Sequence, residues 1–293
     1  MITASLFEAH LKCPTKCFLR SVAETGHGND YADWVRTRNE QYRDAGVKRL
    51  IEKCSKDECA VGPLEIGNLK AATWKLAVDL MARGQNLDSI IHAVERIPSG
   101  GHGQAAQFIP IRFVSTNKLT QDDQLLLGFD ALVLSEALGR EVCLGKIIHG
   151  DDCTTLKVKT SALAGKVRKL VGNMATLLSK SSPPDLVLNR HCAECAFRGR
   201  CQAEAEKTDN LSLLDGVTEK IVRKYAKKGI FTVTQMSYTY RPRRHKHRAR
   251  SAALTHKPEL RALALRTGKI CVVQDPSLPR NPVRRRSPRP CRL

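Results

Sequence analysis

The stretch His191-Cys-Ala-Glu-Cys-Ala-Phe-Arg-Gly-Arg-Cys201 carries three cysteines, Cys192, Cys195 and Cys201, in a C-x2-C-x5-C spacing. Two thiolates separated by two residues can face one metal centre, and five further residues bring a third thiolate to it. Closed zinc sites and cysteine-bound iron–sulfur clusters use four protein ligands. The spacing therefore predicts a metal centre with a fourth ligand elsewhere in the chain.

The fourth ligand is expected near the start of the chain. Cys13 precedes Pro14 at the end of the first predicted helix, and Cys17 competes with it one helical turn later. Zinc and an iron–sulfur cluster both fit this set of cysteines. Four further cysteines have no comparable spacing and are expected to be core or surface thiols: Cys54, Cys59, Cys143 and Cys153.

The charge of the chain points to a polyanionic partner. The 293 residues carry a formal net charge of +20, and residues 241–293 hold 16 lysines and arginines against two acidic residues. Nucleic acid is the simplest partner for such a chain. No apolar stretch reaches the roughly 18–20 residues of a membrane span, and no secretory signal is recognisable. A cytoplasmic protein without a membrane partner is expected, with its cysteines reduced or metal-bound.

Hydrophobic periodicity predicts an α/β fold built around one sheet. Helical spacing marks residues 3–20, 31–54, 68–83, 121–138 and 161–180, and strand patterns mark 89–97, 107–115, 142–148 and 154–158. A separate helical unit begins at residue 209. Its segment 211–233 resembles a helix-hairpin-helix module, although a simple two-helix packing element explains it equally well.

Leu11-Lys-Cys13-Pro-Thr-Lys-Cys17-Phe-Leu-Arg20, paired with the distant cysteine triplet, resembles the iron–sulfur RecB-like nucleases of the PD-(D/E)XK superfamily, a branch that includes the CRISPR-associated exonuclease. The similarity covers about residues 1–205. It implies a restriction-endonuclease-like α/β core whose two ends are clamped by a [4Fe-4S] cluster. The resemblance assigns the cluster to these ligands: Cys13, Cys192, Cys195 and Cys201.

The resemblance also implies how the chain is divided. A RecB-like nuclease domain with its cluster is expected at 1–205, a helix-hairpin-helix-like module at 209–240, and a basic, largely disordered tail at 241–293. This order is similar to a bacterial group of RecB-like nucleases in which a helical hairpin follows the cluster. Members of that group usually continue into a ribonuclease-H-like exonuclease domain, before which this chain is expected to stop.

The catalytic motifs of the family are only half matched. The family gathers carboxylates and a lysine on Mg²⁺ or Mn²⁺, where the lysine helps to activate the water that attacks the phosphodiester. Its motifs are an acidic helix residue, an Asp at a strand end, an E-x-K on the next strand and a Gln in the following helix. Glu40 matches the first motif and Gln124 the fourth. His92 stands where the Asp is expected, and Arg112 and Val114 replace the Glu and the Lys.

Two functions follow from this pattern. The first is a metal-dependent nuclease, active or degenerate, that acts on DNA ends and uses Glu40 and Gln124. The second is a non-catalytic DNA-binding protein that keeps the nuclease fold, with the cluster as a structural staple. Candidates to rebuild the lost metal site are Asp88, Glu95, Asp130 and Lys146.

DNA is the expected partner under both functions, together with a helicase or another DNA-processing protein. Aromatic residues make up only 5% of the chain, so contacts to the phosphate backbone are expected to outweigh stacking on bases. A redox enzyme is the weakest interpretation, because the sequence lacks a Gly-rich phosphate loop.

Overall fold

The computed structural model describes residues 1–26, 29–62, 73–98, 106–241 and 258–270. The chain divides into two compact units, Met1–Glu204 and Ala205–Leu293. The first unit is an α/β structure with one mixed sheet, and the described part of the second unit is mainly helical. The α/β class predicted from the sequence is therefore confirmed.

The elements from the first residue to the unit boundary follow in chain order. They are β1 (Ile2–Thr3), α1 (Ala4–Lys12), α2 (Pro14–Ser21), α3 (Asp30–Glu52), β2 (Cys59–Val61), β3 (Leu76–Arg83), β4 (Leu87–Ile97), β5 (Gln107–Val114), α4 (Gln121–Leu138), β6 (Leu144–His149), β7 (Thr154–Lys159), α5 (Ser161–Leu178) and α6 (Arg198–Lys207).

The first two helices are separated by one extended residue. Thr3 caps α1 by accepting a hydrogen bond from the backbone N–H of Leu6. Cys13 ends α1 with φ −166° and ψ 120°, and Pro14 starts α2 at the position where a missing N–H costs least. The single helix segment predicted over 3–20 is thus two helices that meet at Cys13.

The sheet has the order β2-β3-β4-β5-β6-β7, with β1 paired to β4. Strands β3, β4 and β5 form an antiparallel meander, α4 crosses over to β6 parallel to β5, and β7 returns antiparallel as the edge strand. Consecutive residues of a strand point to opposite faces. Ile147 packs with Leu127 of α4, whereas Ile148 packs with Tyr42 of α3 in a different cluster. Helices α3 and α4 therefore cover opposite faces of the sheet.

Helix α4 is the centre of the main core. A capping box between Thr120 and Asp123 starts it, and Gly139, with φ +66°, ends it. Every residue from Leu125 to Leu134 is buried, and the Phe129 ring stacks on that of Phe7 with 4.6 Å between centroids. The buried helix predicted over 121–138 is confirmed with the same bounds.

One predicted helix is wrong. The sequence pattern predicts helix over 68–83, but Leu76–Arg83 is strand β3, and residues 63–72 lie outside the described residues. Strand β3 is flanked by β2 and β4 and is buried on both faces, as consecutive Ala77 and Val78 show. A strand buried on both faces has an almost continuous apolar sequence, which can be mistaken for a buried helix.

The second unit has its own small core. Its elements after residue 209 are a short 3-10 turn (Leu211–Leu213), α7 (Glu219–Ala226), α8 (Val233–Tyr238) and α9 (Pro258–Thr267). Gly229, with φ +74°, turns the chain between α7 and α8. Helix α9 lies inside the predicted tail, and its Ala262 is buried in the core with Met236. This part of the tail is folded, whereas 242–257 and 271–293 lie outside the described residues. None of the helices in the described ranges has the length and apolar character that a membrane span requires.

Two glycine substitutions test how closely α3 packs on the sheet. A Cβ at Gly46 of α3 would overlap the Phe113 ring of β5, whereas a Cβ at Gly165 of α5 would meet open space. Gly46→Ala should lower the free energy of unfolding by about 1–3 kcal/mol through overpacking. Gly165→Ala should raise it by about 0.4–1 kcal/mol, since alanine restricts the unfolded chain. Urea unfolding of both variants measures this, and an unchanged Gly46→Ala variant would contradict the packing.

Candidate metal centre

One pocket of the first unit brings together cysteines from the two ends of that unit. The sulfur-bearing residues that line it are Cys13, Cys192, Cys195 and Cys201. Cys17, the competing ligand from the sequence, is fully buried and packs in the main hydrophobic core. The structure thus groups Cys13, and not Cys17, with the C-terminal triplet.

The triplet is positioned by a short turn and the start of a helix. A 3-10 turn at Arg190–Glu194 is capped by Asn189, whose Oδ1 accepts from the backbone N–H of His191 at 2.8 Å. The backbone N–H of Asn189 also lies 3.2 Å from the Cys192 sulfur. Cys195 closes this turn, and Cys201 lies in the first turn of α6. The C-x2-C-x5-C spacing therefore spans a turn and a helix start that point three thiols into one space.

Two asparagines fasten this turn to the start of the chain. The Asn189 side chain donates to the carbonyl of Lys12 at 3.2 Å. The Asn29 side chain donates to the carbonyls of Ala193 and Cys195 at 3.0 and 2.9 Å and accepts from Ala32 as the cap of α3. The cap role of Asn29 is visible from its place before a helix, but its long-range bonds require the folded structure.

A glycine allows the chain to pass close to the cysteine turn. A Cβ at Gly26 would lie 2.7 Å from the backbone carbonyl of Ala196, which is closer than real side chains approach. Only glycine fits there without displacing the turn. On the same segment, Glu24 forms an ion pair with Arg200. The stretch before α3 is therefore packed directly on the cysteine segment.

Burial favours the protonated thiol form of Cys192 and Cys201. Burial raises the pKa of Cys192, and burial together with the neighbouring thiols raises the pKa of Cys201 to about 11. Metal ligation requires thiolates, so a bound metal must displace these protons. Lys12, Lys16 and Arg198 also line the pocket and supply positive charge beside the sulfurs.

The four candidate metal ligands are all cysteine thiols. Four thiols on one pocket are the ligands that iron–sulfur clusters and closed zinc sites share, so the residues present fit such a group. Across the described ranges, no three His, Cys, Asp or Glu side chains converge closely enough to hold a single metal ion. The four cysteines line one pocket, but their side chains are not close enough together to share a single metal ion.

The two matched nuclease motifs lie on opposite sides of the sheet. Glu40 is exposed on α3, and Gln124 is half-buried in the first turn of α4. Because α3 and α4 cover opposite faces, the structure does not bring these two side chains together on one face.

The positions expected to hold the metal-binding carboxylates are occupied by a different arrangement. The His92 ring lies parallel to the Phe113 ring, with 6.1 Å between centroids, and its Nδ1 accepts from the backbone N–H of Phe113 at 3.2 Å. Burial and the nearby Arg112 and Arg43 hold the pKa of His92 well below its usual range. Arg112 points to the α4 side. Strand β5 contains no Asp or Glu, so it offers no carboxylate at any position.

Asp130 is the partner of Arg112. The Nε and Nη2 atoms of Arg112 donate to the two carboxylate oxygens of Asp130, each at 2.9 Å, and Ser89 donates to Oδ1 at 2.7 Å. The Asp130 side chain is only 1% exposed. Both of its oxygens are therefore already occupied by internal donors.

Glu95 and Lys146 are engaged with each other, whereas the buried Oδ1 of Asp88 has no hydrogen-bond partner among the described residues. Glu95 of β4 forms an ion pair with Lys146 of β6 across the intervening β5. The register pairs Ile111 with Lys146, which places Lys146 on the sheet face that α3 covers. Asp88 lies where β4 pairs with β1. The carboxylates proposed as replacements thus lie at separate places on the sheet.

Comparisons with known proteins add little. No protein-family model matches this chain, and no curated protein matches it. Among solved structures, the crystal structure of SSO0001 is similar over 56% of this chain and 95% of that one, at 9% sequence identity and a TM-score of 0.29. A likeness of this size assigns neither a fold nor a function.

Substitution of single cysteines tests the metal centre. Cys13→Ser and Cys195→Ser should each lose the bound metal and the visible absorbance of a cluster, and should lower the melting temperature. Cys17→Ala should retain the metal while losing core packing, and Cys143→Ser, at an exposed thiol, should match the wild type. Iron, sulfide and zinc analysis of protein purified without oxygen measures the outcome. Zinc without iron would contradict the cluster assignment.

A second prediction concerns the buried ion pair. Asp130→Ala leaves Arg112 without its partner in a buried setting, which should cost about 3–5 kcal/mol of stability. Replacing both residues by leucine should recover most of that loss, because no buried charge then remains. A double-mutant cycle in urea measures the coupling, and additive effects would contradict it.

Proposed function

We propose that this protein binds DNA without cleaving it, as a RecB-like protein of the PD-(D/E)XK type that has lost its metal-binding carboxylates. The observation that carries the proposal is the ion pair between Arg112 and Asp130. It places a guanidinium where the family motif has a carboxylate, and it satisfies both oxygens of the nearest buried acid. A divalent cation needs free carboxylate oxygens, which this arrangement does not offer.

The element order supports the RecB-like interpretation. The family motifs fall on a helix, a strand, the next strand and the following helix. Here the four motif positions, two matched and two unmatched, fall on α3, on the adjacent antiparallel strands β4 and β5, and on α4. The grouping of Cys13 with the C-terminal triplet agrees with the clamp that the resemblance implies.

A structural role for the metal centre follows from its place in the chain. We assign a [4Fe-4S] cluster to Cys13, Cys192, Cys195 and Cys201 on the strength of the resemblance and the shared pocket. When bound, the cluster supplies iron–thiolate bonds between the start and the end of the domain. The protein itself provides the hydrogen bonds of Asn29 and Asn189 that hold the ligand turn in place.

A basic region on β7 and α5 supports DNA as the partner. Residues 153–184 contain six lysines and arginines and no acidic residue, and all six side chains are exposed. Lys157 pairs across from Lys146, so Lys157 and Lys159 point to the α3 side of the edge strand. Exposed cations free of neighbouring acids attract phosphates and release counterions on binding. We call Lys157 and Lys159 the basic strand.

The second unit adds a further basic segment. Helix α7 and the turn after it expose a set of cations whose only acidic neighbour on α7, Glu219, is paired to Arg223. The members are Lys220, Arg223, Lys224, Lys227 and Lys228. The helix-hairpin-helix-like character expected from the sequence agrees with such a phosphate-binding role.

An active nuclease is the second candidate. The pair formed by Glu95 and Lys146 favours it, since an acid and a lysine on one face are part of the chemistry that the family uses. It also lies on the same side of the sheet as the basic strand. Against it, no group of three His, Cys, Asp or Glu side chains that could hold a metal ion occurs in the described part of the chain.

DNA binding is tested through the basic strand. The double variant Lys157→Ala/Lys159→Ala should weaken DNA binding at low salt and reduce the slope of log K against log salt by about two, as expected for two lost phosphate contacts. Lys75→Ala is the matched control, because Lys75 is already paired to Glu58. Fluorescence anisotropy over a salt series measures both. Failure to bind DNA in any form would contradict the proposed function.

Cleavage is tested separately with end-labelled DNA and Mn²⁺. The cluster-loaded wild type should leave the DNA intact. Cleavage that Glu40→Ala and Glu95→Gln both abolish would establish the nuclease instead. Cleavage that survives both substitutions would identify a contaminant.

A further inference from the structure

Two aromatic rings and a guanidinium form an exposed row on α3. The rings of Tyr31 and Trp34 are stacked with 5.8 Å between centroids and 19° between planes, and the Arg38 guanidinium lies 5.5 Å from the centre of the Trp34 ring. Spacings of three and four residues place all three on one side of the helix. Tyr31 is 50% exposed and Trp34 is 54% exposed. We call these three residues the aromatic row.

Among the described residues, the aromatic row packs into none of the hydrophobic clusters of the first unit. Helix α3 packs on the sheet through its second half, from Tyr42 to Ile51. The chain has two tryptophans, and the other one, Trp74, packs edge-on against Phe108 beside the main core. Leaving a stacked tyrosine and tryptophan half in water forgoes the burial that such large rings usually gain. An external ring-shaped ligand would recover it.

We infer that the aromatic row binds an unpaired nucleobase of single-stranded DNA. The inference rests on the proposed DNA binding and names its substrate class. Every base has a flat π-face that can stack on tyrosine or tryptophan without regard to sequence. Arginine guanidinium planes stack on aromatic faces as well, so Arg38 extends the same surface.

The charges around the row fit a base better than a duplex backbone. Asp30 and Asp33 lie on the same turn as the rings, and Asp33 is paired to Arg36 at 2.9 Å. Carboxylates repel phosphates, so a phosphate backbone laid directly over this turn is disfavoured. A neutral base has no such penalty.

The basic strand is the expected binding site for the phosphates of the same DNA single strand. Helix α3 covers the sheet face toward which the basic strand also points. Tyr42, further along α3, donates its hydroxyl to the carbonyl of Gly150 in the β6–β7 turn at 2.8 Å. Tyr31 lies 11 residues before Tyr42, which is about 16 Å along a helix. The helix that carries the aromatic row and the basic strand thus belong to the same face of the sheet, and one single strand is expected to contact both.

This arrangement specifies the form of DNA. Bases inside a duplex are already stacked and paired, whereas bases of a single strand, an overhang or a frayed end are free. The expectation that stacking is a minor contribution, drawn from the low aromatic content, is therefore revised at this one place.

The test compares three probes on one set of variants. The probes are a short oligothymidylate, an abasic oligonucleotide of the same length, and a blunt duplex. Trp34→Ala should weaken binding of the oligothymidylate by about 5- to 150-fold, the range measured for loss of one stacked base. Trp34→Phe keeps a ring and should retain most of the affinity. Binding of the abasic probe and of the duplex should change less than twofold in both variants.

A direct signal comes from tryptophan fluorescence. In a Trp74→Phe background, Trp34 is the single tryptophan, and stacking of a base should quench its emission in proportion to binding. Unchanged affinity of Trp34→Ala for the oligothymidylate, or an equal loss with the abasic probe, overturns the inference while DNA binding stands. A wild type that binds none of the three probes overturns the proposed function and the inference with it. Thermal melting of Trp34→Ala and Trp34→Phe should match the wild type, since the Trp34 ring is half in solvent.

Discussion

The joining of the chain start to residues 189–201 is the constraint on which the first unit depends. Asn189 bonds to Lys12, Asn29 bonds to Ala193 and Cys195, and the four thiols share one pocket. Cys13 and Cys192 are 179 residues apart. By the loop-closure estimate, a permanent link across such a span removes chain entropy worth about 5 kcal/mol from the unfolded state. That is comparable to the whole stability of many domains.

The centre of the sheet is held together by polar contacts between its own side chains. A cation site needs carboxylates whose oxygens remain free and converge. The carboxylate oxygens of Asp130 instead accept hydrogen bonds from Arg112 and Ser89, and the His92 ring stacks on that of Phe113. These contacts hold β4, β5 and α4 together. A fold by itself does not establish an activity, so the proposal that the protein does not cleave DNA rests on these residues.

The sequence predicts most elements because their patterns are local. Helices α4 and α5 and strands β4 to β7 lie within a few residues of their predicted bounds, since each has a clear periodicity. Strand β3 was predicted as helix because burial on both faces removes its alternation. The opposite orientations of His92 and Arg112 depend on strand register, which a motif match does not specify. The exposed position of Trp34 could not be predicted either, because Trp34 stands eight residues before Tyr42, a spacing typical of one apolar helix face.

The distance along the chain between the pocket's two halves also sets an order of events during synthesis. A growing polypeptide shorter than 201 residues contains Cys13 but not the complete triplet. The first helices can form as they leave the ribosome. The pocket, however, is complete only when residues 186–201 have also been made. Assembly of the proposed metal centre would therefore follow synthesis of the whole unit, and a truncated product that ends before residue 201 would lack at least one of its four ligands.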